Sequence, residues 1–153
     1  MKLITPIYPE IAAHSSIVAM VYRDLRKNAN LQTPLVLTGS RFFGNVTASS
    51  DWDFFTEYDE SLISPLMSSD WEIAPSAYRD DSIIWVLSKT FRIDRISIKV
   101  DLQLVRKPHV KYAAQLELKK NDDFVNKLLD DDSVRRLWDS EIKAQARLMG
   151  EMI

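Results

Sequence analysis

The chain has 153 residues, of which 46% are hydrophobic and 27% are charged, as is usual for one globular domain with its own core. Its 20 basic and 22 acidic residues give a formal net charge of −2, which argues against a surface that coats nucleic acid broadly. The absence of cysteine excludes disulfides, zinc–thiolate sites and a thiol nucleophile. The N-terminus lacks the apolar core of a signal peptide, and no apolar run reaches the roughly 20 residues of a membrane span. We therefore expect a single cytoplasmic domain over residues 1–153 that has no membrane partner.

The first part of the sequence predicts a helix and then a buried strand. Residues 9–27 open with Pro-Glu, which suits a first helical turn, and their apolar positions recur at helical spacing. After a polar connection, residues 34–38 form a nearly continuous apolar run, which is typical of a buried strand. The strand ends at Gly39-Ser40, where Ser40 could cap a short helical turn.

Three longer segments complete the predicted secondary structure of the sheet. In residues 51–57 polar and apolar side chains alternate as in a strand, with Trp52 and Phe54 on the face opposite the two aspartates. Residues 82–88 and 93–105 predict two further strands. The last two are expected to pair as an antiparallel hairpin. Residues 60–68 predict a short helix, and residues 71–73 a small additional strand.

The C-terminal part of the sequence is predicted to be helical, over residues 110–120, 123–129 and 133–152. The expected fold is therefore α/β (α+β in some schemes), a small mixed β-sheet with helices packed chiefly on one face. Its core would span about 34–105 and its C-terminal helical part about 109–153. The open face of the sheet would carry the functional site.

Five residues make a chemically consistent candidate site. Gly39 and Ser40 end the first strand, where backbone N–H groups and a hydroxyl can hold an anionic phosphate tail. Asp51 and Asp53 are separated by one residue, so on a strand both carboxylates leave the same face. Asp101 lies on the polar face of the long strand. If these strands are neighbours, three carboxylates meet beside the turn.

Clustered carboxylates repel one another unless a cation neutralises them. Mg²⁺ is the natural choice, because it prefers hard oxygen ligands and bridges carboxylates to substrate phosphates. Two such ions about 4 Å apart would clamp the attacking and departing oxygens of an in-line displacement. In that scheme Asp51 and Asp53 hold both ions, while Asp101 holds the catalytic ion and helps to remove a proton from an acceptor hydroxyl.

The same residues carry a family resemblance. Gly39-Ser40-Arg41, then Gly44, then the segment Ser50-Asp51-Trp52-Asp53-Phe54, resemble the signature of the polymerase-β-like nucleotidyltransferase superfamily, above all its minimal, stand-alone members. Those include small antitoxin-type and antibiotic-modifying nucleotidyltransferases. The resemblance covers about residues 35–105, and Asp101 matches the third carboxylate of the family. The bulky Phe42-Phe43 pair and the large Trp52 depart from the usual pattern.

What the resemblance implies is transfer of a nucleoside monophosphate from an NTP, with ATP as the expected substrate, to a hydroxyl acceptor, with release of pyrophosphate. The acceptor stays open between a small molecule, an RNA end and a protein hydroxyl. Arg41, Ser50 and Lys99 are further candidates for contact with the nucleotide, although each also reads as an ordinary surface or loop residue.

Two other functions compete with this one. A catalytically silent module of the same fold, of the antitoxin type, would bind a protein partner without chemistry. A metal-dependent phosphohydrolase would use the same carboxylates but release free phosphate.

Overall fold

The computed structural model describes residues 15–43, 51–74, 82–93 and 95–120, which form a five-stranded sheet and four α-helices. The strands are β1 (Val36–Thr38), β2 (Trp52–Glu57), β3 (Glu72–Ile73), β4 (Ile83–Ile93) and β5 (Ile96–Val105). The helices are α1 (Ser15–Ala29), α2 (Ser40–Phe43), α3 (Ile63–Met67), which follows a 3₁₀ turn at Glu60–Leu62, and α4 (Pro108–Lys119). The predicted helices over 123–129 and 133–152, and the predicted start of the first helix near residue 9, lie outside the described residues.

Helix α1 continues two residues beyond its predicted end near residue 27. Asn28 stays helical, with its side-chain amide donating to Asp24 one turn earlier at 3.1 Å. The helix ends because Asn30 takes a left-handed φ of 52°, and the N–H of Leu31 then reaches back to the carbonyl of Leu25 at 3.3 Å. Asparagine tolerates this conformation better than most residues, so it serves as the C-terminal cap.

The sheet is mixed, with the strand order β1-β2-β5-β4-β3. The pair β2 and β5 is parallel, whereas β1 pairs with β2, and β4 with both β5 and β3, in the antiparallel sense. The predicted hairpin is present as β4 and β5. A parallel pair at the centre requires a long crossover, and the chain between β2 and β5 supplies it through α3, β3 and β4.

The two faces of the sheet are covered differently. Helices α1 and α3 pack on one face, where they bury the main core cluster together with Phe54, Leu87 and Leu102. On the other face a smaller cluster surrounds Phe55, and Tyr112 of α4 packs against it. The predicted fold class, a mixed sheet with helices chiefly on one face, is confirmed. Helix α4 covers only part of the second face.

In the part of the chain that the structure describes, no helix combines the length and the hydropathy that crossing a lipid bilayer demands.

Candidate functional site

Gly39 lies between β1 and α2 and is buried against Asp53. Its φ of 73° is left-handed, and its carbonyl accepts from the N–H of Phe42 at 3.0 Å, which closes the turn. A Cβ added at Gly39 would come within 3.1 Å of both Cβ and Cγ of Asp53, and still closer to one carboxylate oxygen. Only glycine satisfies both constraints, so the backbone of this turn lies directly on the Asp53 carboxylate.

The strand register brings Asp53 and Asp101 side by side. Asp53 of β2 pairs with Asp101 of the parallel strand β5, and with Thr38 of β1 on its other side. Because paired residues of neighbouring strands project to the same face, both carboxylates leave the face opposite the main core. Trp52 and Phe54, which flank Asp53, are buried in that core, as the sequence predicted.

Asp51 lies just before β2, two residues from Asp53, and its side chain is 38% exposed. Its carboxylate forms an ion pair with Nζ of Lys99 at 3.6 Å, and the Lys99 side chain is 54% exposed. Lys99 is two residues before Asp101 on β5, so alternation puts it on the same face. The register therefore places the three predicted carboxylates and Lys99 on one face of two neighbouring strands.

The Asp101 carboxylate accepts a hydrogen bond from the hydroxyl of Ser88, its cross-strand partner on β4. Sequence reasoning missed Ser88 as a residue of this site. Its only signal is the alternation of β4, which shows the face on which Ser88 lies but not the strand residue opposite it.

Arg41 belongs to α2, and its guanidinium lies over the indole ring of Trp52, 4.4 Å from the ring centroid. Partial burial lowers the pKa of Arg41 from its ordinary value, while the negative charge of Asp51 acts in the opposite direction. An arginine remains a cation at neutral pH under such a shift, so Arg41 adds a positive charge close to Asp51.

Three predicted residues of the turn region lie partly or wholly outside the described part of the chain. Ser40 begins α2, and its side chain is outside the description; Gly44 and Ser50 lie wholly outside the described residues. Phe42 is 1% exposed and belongs to the main core cluster. This bulky residue therefore contributes to the core.

Gln115 of α4 forms hydrogen bonds with the end of β1, next to the turn. The sequence did not indicate Gln115 as a residue of this site. The side chain of Gln115 is fully buried; it accepts from the hydroxyl of Thr38 at 2.8 Å and donates to the carbonyl of Leu37 at 3.0 Å. One helical turn earlier, Nζ of Lys111 donates to the Gln103 side chain of β5 at 2.9 Å. These contacts hold α4 against the sheet beside the carboxylates.

The carboxylates supply the hard oxygen donors that Mg²⁺ prefers, and Asp53 and Asp101 are adjacent in register. Across the described ranges, however, no three His, Cys, Asp or Glu side chains are gathered as a ready metal-binding set. Asp51 is paired with Lys99 and Asp101 is bonded to Ser88. The carboxylate oxygens are therefore suitable ligands for a divalent cation, but in this structure Asp51 and Asp101 contact other side chains of the protein.

No protein-family model matches the chain, and no curated protein matches it either. The fold is similar to solved structures of Cid1 poly(U) polymerase bound to MgATP (TM-score 0.46, 14% identity, 78% of this chain and 40% of that one). A cytoplasmic RNA terminal U-transferase (TM-score 0.47, 15% identity, 78% and 39%) and Cid1 with its short product ApU (0.47, 14%, 78% and 39%) are also similar.

The chain thus spans about two fifths of the length of these structures. This likeness is one of fold, and the resemblance of the sequence motif to the polymerase-β-like nucleotidyltransferases stays a prediction. The roles of individual residues rest on this chain's own geometry.

Proposed function

We propose that this chain is a magnesium-dependent nucleotidyltransferase. It would move a nucleoside monophosphate from an NTP, with ATP as the expected substrate, to a hydroxyl acceptor and release pyrophosphate. The observation that supports this most directly is the register that sets Asp53 beside Asp101 and against the Gly39 turn. A tight turn beside two adjacent carboxylates suits phosphoryl-type transfer, because such transfer depends mainly on positioning and charge neutralisation.

The turn after β1 would hold the β- and γ-phosphates of the NTP. Backbone N–H groups that follow Gly39 would donate to phosphate oxygens, with Ser40 as the predicted hydroxyl donor. The guanidinium of Arg41 would add positive charge beside them, and it packs on the ring of Trp52 at the start of β2. These groups would orient the pyrophosphate part of the substrate as the leaving group.

Asp51, Asp53 and Asp101 would hold the metal, two ions in the full scheme. Bound magnesium would neutralise the phosphate oxygens and make the acceptor hydroxyl more acidic. Asp51 would leave its exposed ion pair with Lys99 to do so, a contact worth at most about 1 kcal/mol.

Asp101 would also take the proton of the acceptor hydroxyl. The acceptor oxygen bonds to the α-phosphorus, the bond to pyrophosphate breaks, and the proton passes to the carboxylate. The hydroxyl of Ser88 donates to one oxygen of Asp101 and occupies only one of the acceptor positions of the carboxylate, so positions remain for the metal and for this proton. Ser88 would therefore orient the base.

A calorimetric titration with each of the four NTPs, with and without magnesium, tests the proposal. We expect metal-dependent binding that Asp53→Asn weakens at least tenfold, or about 1.4 kcal/mol, because the variant loses a ligand charge. Glu57→Gln is the matched control, since Glu57 is an exposed carboxylate on the same strand and face as Asp53. It should bind as the wild type does. If no NTP binds in a metal-dependent way, the proposal is wrong.

One observation favours the silent binding module as a second candidate. Asp51 already holds Lys99, and no ready three-ligand set exists within the described residues. Incubation with NTPs labelled at the α-phosphate separates the candidates. Labelled acceptor with released pyrophosphate supports the transferase, free phosphate indicates a phosphohydrolase, and neither product despite a stable protein partner indicates the silent module.

A further inference from the structure

The ion pair of Lys99 and Asp51 joins the two strands that carry the candidate metal ligands. Asp51 directly precedes β2, and Lys99 belongs to β5, which runs parallel to β2. Asp53 is paired with Asp101, so the register puts Asp51 opposite Lys99, two residues earlier on each side. The distance of 3.6 Å between the Lys99 ammonium and a carboxylate oxygen of Asp51 therefore follows from the same strand pairing that builds the site.

The ammonium of Lys99 competes with a metal ion for Asp51. A lysine ammonium is a compact, strongly hydrated point charge, and a divalent cation is bound by the same carboxylate oxygens. The backbone of Lys99 is fixed on β5 only two residues from Asp101, about 7 Å along the strand. A metal ion that binds alone must therefore displace the ammonium from Asp51 and then lie close to its positive charge.

A nucleoside triphosphate offers the displaced ammonium a new partner. The side chain of Lys99 is 54% exposed, and its long flexible stem lets the ammonium reach another group on the same face of the sheet. The phosphate oxygens of a bound NTP are anionic and would lie beside the carboxylates. Each ligand then removes an obstacle for the other, because the metal frees Lys99 for a phosphate and the phosphate draws Lys99 away from Asp51.

We propose that Lys99 is an internal cation that holds Asp51 until metal and nucleotide bind, and that it makes the binding of each depend on the other. This inference rests on the proposed function. Such coupling is reciprocal, so Lys99 lowers the affinity for the metal alone and raises the affinity for the nucleotide once the metal is present. Because the exchanged contact is an exposed ion pair, we expect each effect to be about two- to fivefold.

A titration with Mn²⁺ alone, in which electron paramagnetic resonance counts the free ion, tests the first half of the proposal. Lys99→Gln should bind Mn²⁺ about two- to fivefold more tightly than the wild type, because Asp51 is then released. Lys99→Arg keeps the cation and should bind as the wild type does. Lys27→Gln is the matched control and should change nothing, since Lys27 is an exposed lysine in the last turn of α1, which covers the opposite face of the sheet.

A double-mutant cycle with Asp51→Asn separates the ion pair from general repulsion between cations. In the Asp51→Asn background Lys99→Gln should give little or no gain in Mn²⁺ affinity, because no carboxylate is left for it to release. A calorimetric titration with MgATP tests the second half. Lys99→Gln should weaken MgATP binding about two- to fivefold, and Lys27→Gln should leave it unchanged.

The inference is overturned if Lys99→Gln binds Mn²⁺ no more tightly than the wild type, or if its gain is the same in the Asp51→Asn background. It is also overturned if the wild-type chain binds MgATP and Lys99→Gln binds it equally well. Failure of the proposed function looks different: the wild-type chain then binds no NTP in a metal-dependent way, while the Mn²⁺ titrations still decide whether Lys99 competes with a cation for Asp51.

Discussion

Gln115 offers the sharpest test of how the fold supports the site. Its fully buried amide accepts from the Thr38 hydroxyl at 2.8 Å and donates to the Leu37 carbonyl at 3.0 Å, across 77 and 78 residues of sequence. Thr38 comes directly before Gly39 and opposite Asp53. The amide therefore fixes the end of β1 at the point where the turn begins.

Gln115→Met keeps the length of the side chain and removes both hydrogen bonds. Each buried group left without its partner costs about 1–3 kcal/mol, so we expect a loss of about 2–6 kcal/mol in the free energy of unfolding. That is a large part of the roughly 5–15 kcal/mol that stabilises a typical domain. Urea denaturation, followed by intrinsic fluorescence, measures the loss.

A double-mutant cycle with Thr38→Val isolates the hydroxyl contact. Gln115→Met should cost less in the Thr38→Val background, by about 0.5–3 kcal/mol, because the unsatisfied hydroxyl is then gone. Gln32→Met is the control, since the described side-chain bonds of Gln32 are local and exposed, and its change should stay within about 0.5 kcal/mol. Equal losses from Gln115→Met in both backgrounds would refute the hydrogen-bond argument.

Two other substitutions test the turn and the core separately. Gly39→Ala should destabilise the fold by at least about 1–3 kcal/mol, because it strains a φ of 73° and pushes a methyl group into Asp53. It should also abolish NTP binding by calorimetry, and an unchanged affinity would count against a phosphate-holding turn. Lys89→Met should cost about 3–5 kcal/mol in urea denaturation, because it leaves the Asp24 carboxylate, 2.7 Å from Lys89 Nζ and 13% exposed, without its cation. Adding Asp24→Asn should recover part of the loss, and no recovery would refute the charge argument.

Much of the site could be predicted because alternation along a strand determines which side chains share a face. The pattern around Asp53 placed Trp52 and Phe54 in the core, and the pattern around Asp101 placed Lys99 on the polar face. Alternation does not determine register. The pairing of Asp53 with Asp101 depends on the chain between them returning in parallel, and no local pattern encodes that.

The residues that sequence reasoning missed are those whose partners are distant in sequence. Gln115 lies on a helix whose apolar positions predict one buried side, but amphipathicity does not show which face of the sheet that side covers. A glutamine at such a position reads as a surface residue until Thr38 is seen opposite it. The end of α1 was misplaced for a local reason, since Asn28 resembles a loop residue until its bond to Asp24 is known.

Lys99 links the carboxylates to the nucleotide in the proposed mechanism. In the structure it forms an ion pair with Asp51 at 3.6 Å, and it lies two residues before Asp101 on the same face of β5. An exposed pair of this kind contributes little to stability, so exchange of its partners costs little. A metal cation held by Asp51 would replace the positive charge of Lys99 there and leave the ammonium available to a phosphate oxygen of the NTP. In the proposed mechanism, a metal at Asp51 would therefore favour contact between Lys99 and the nucleotide.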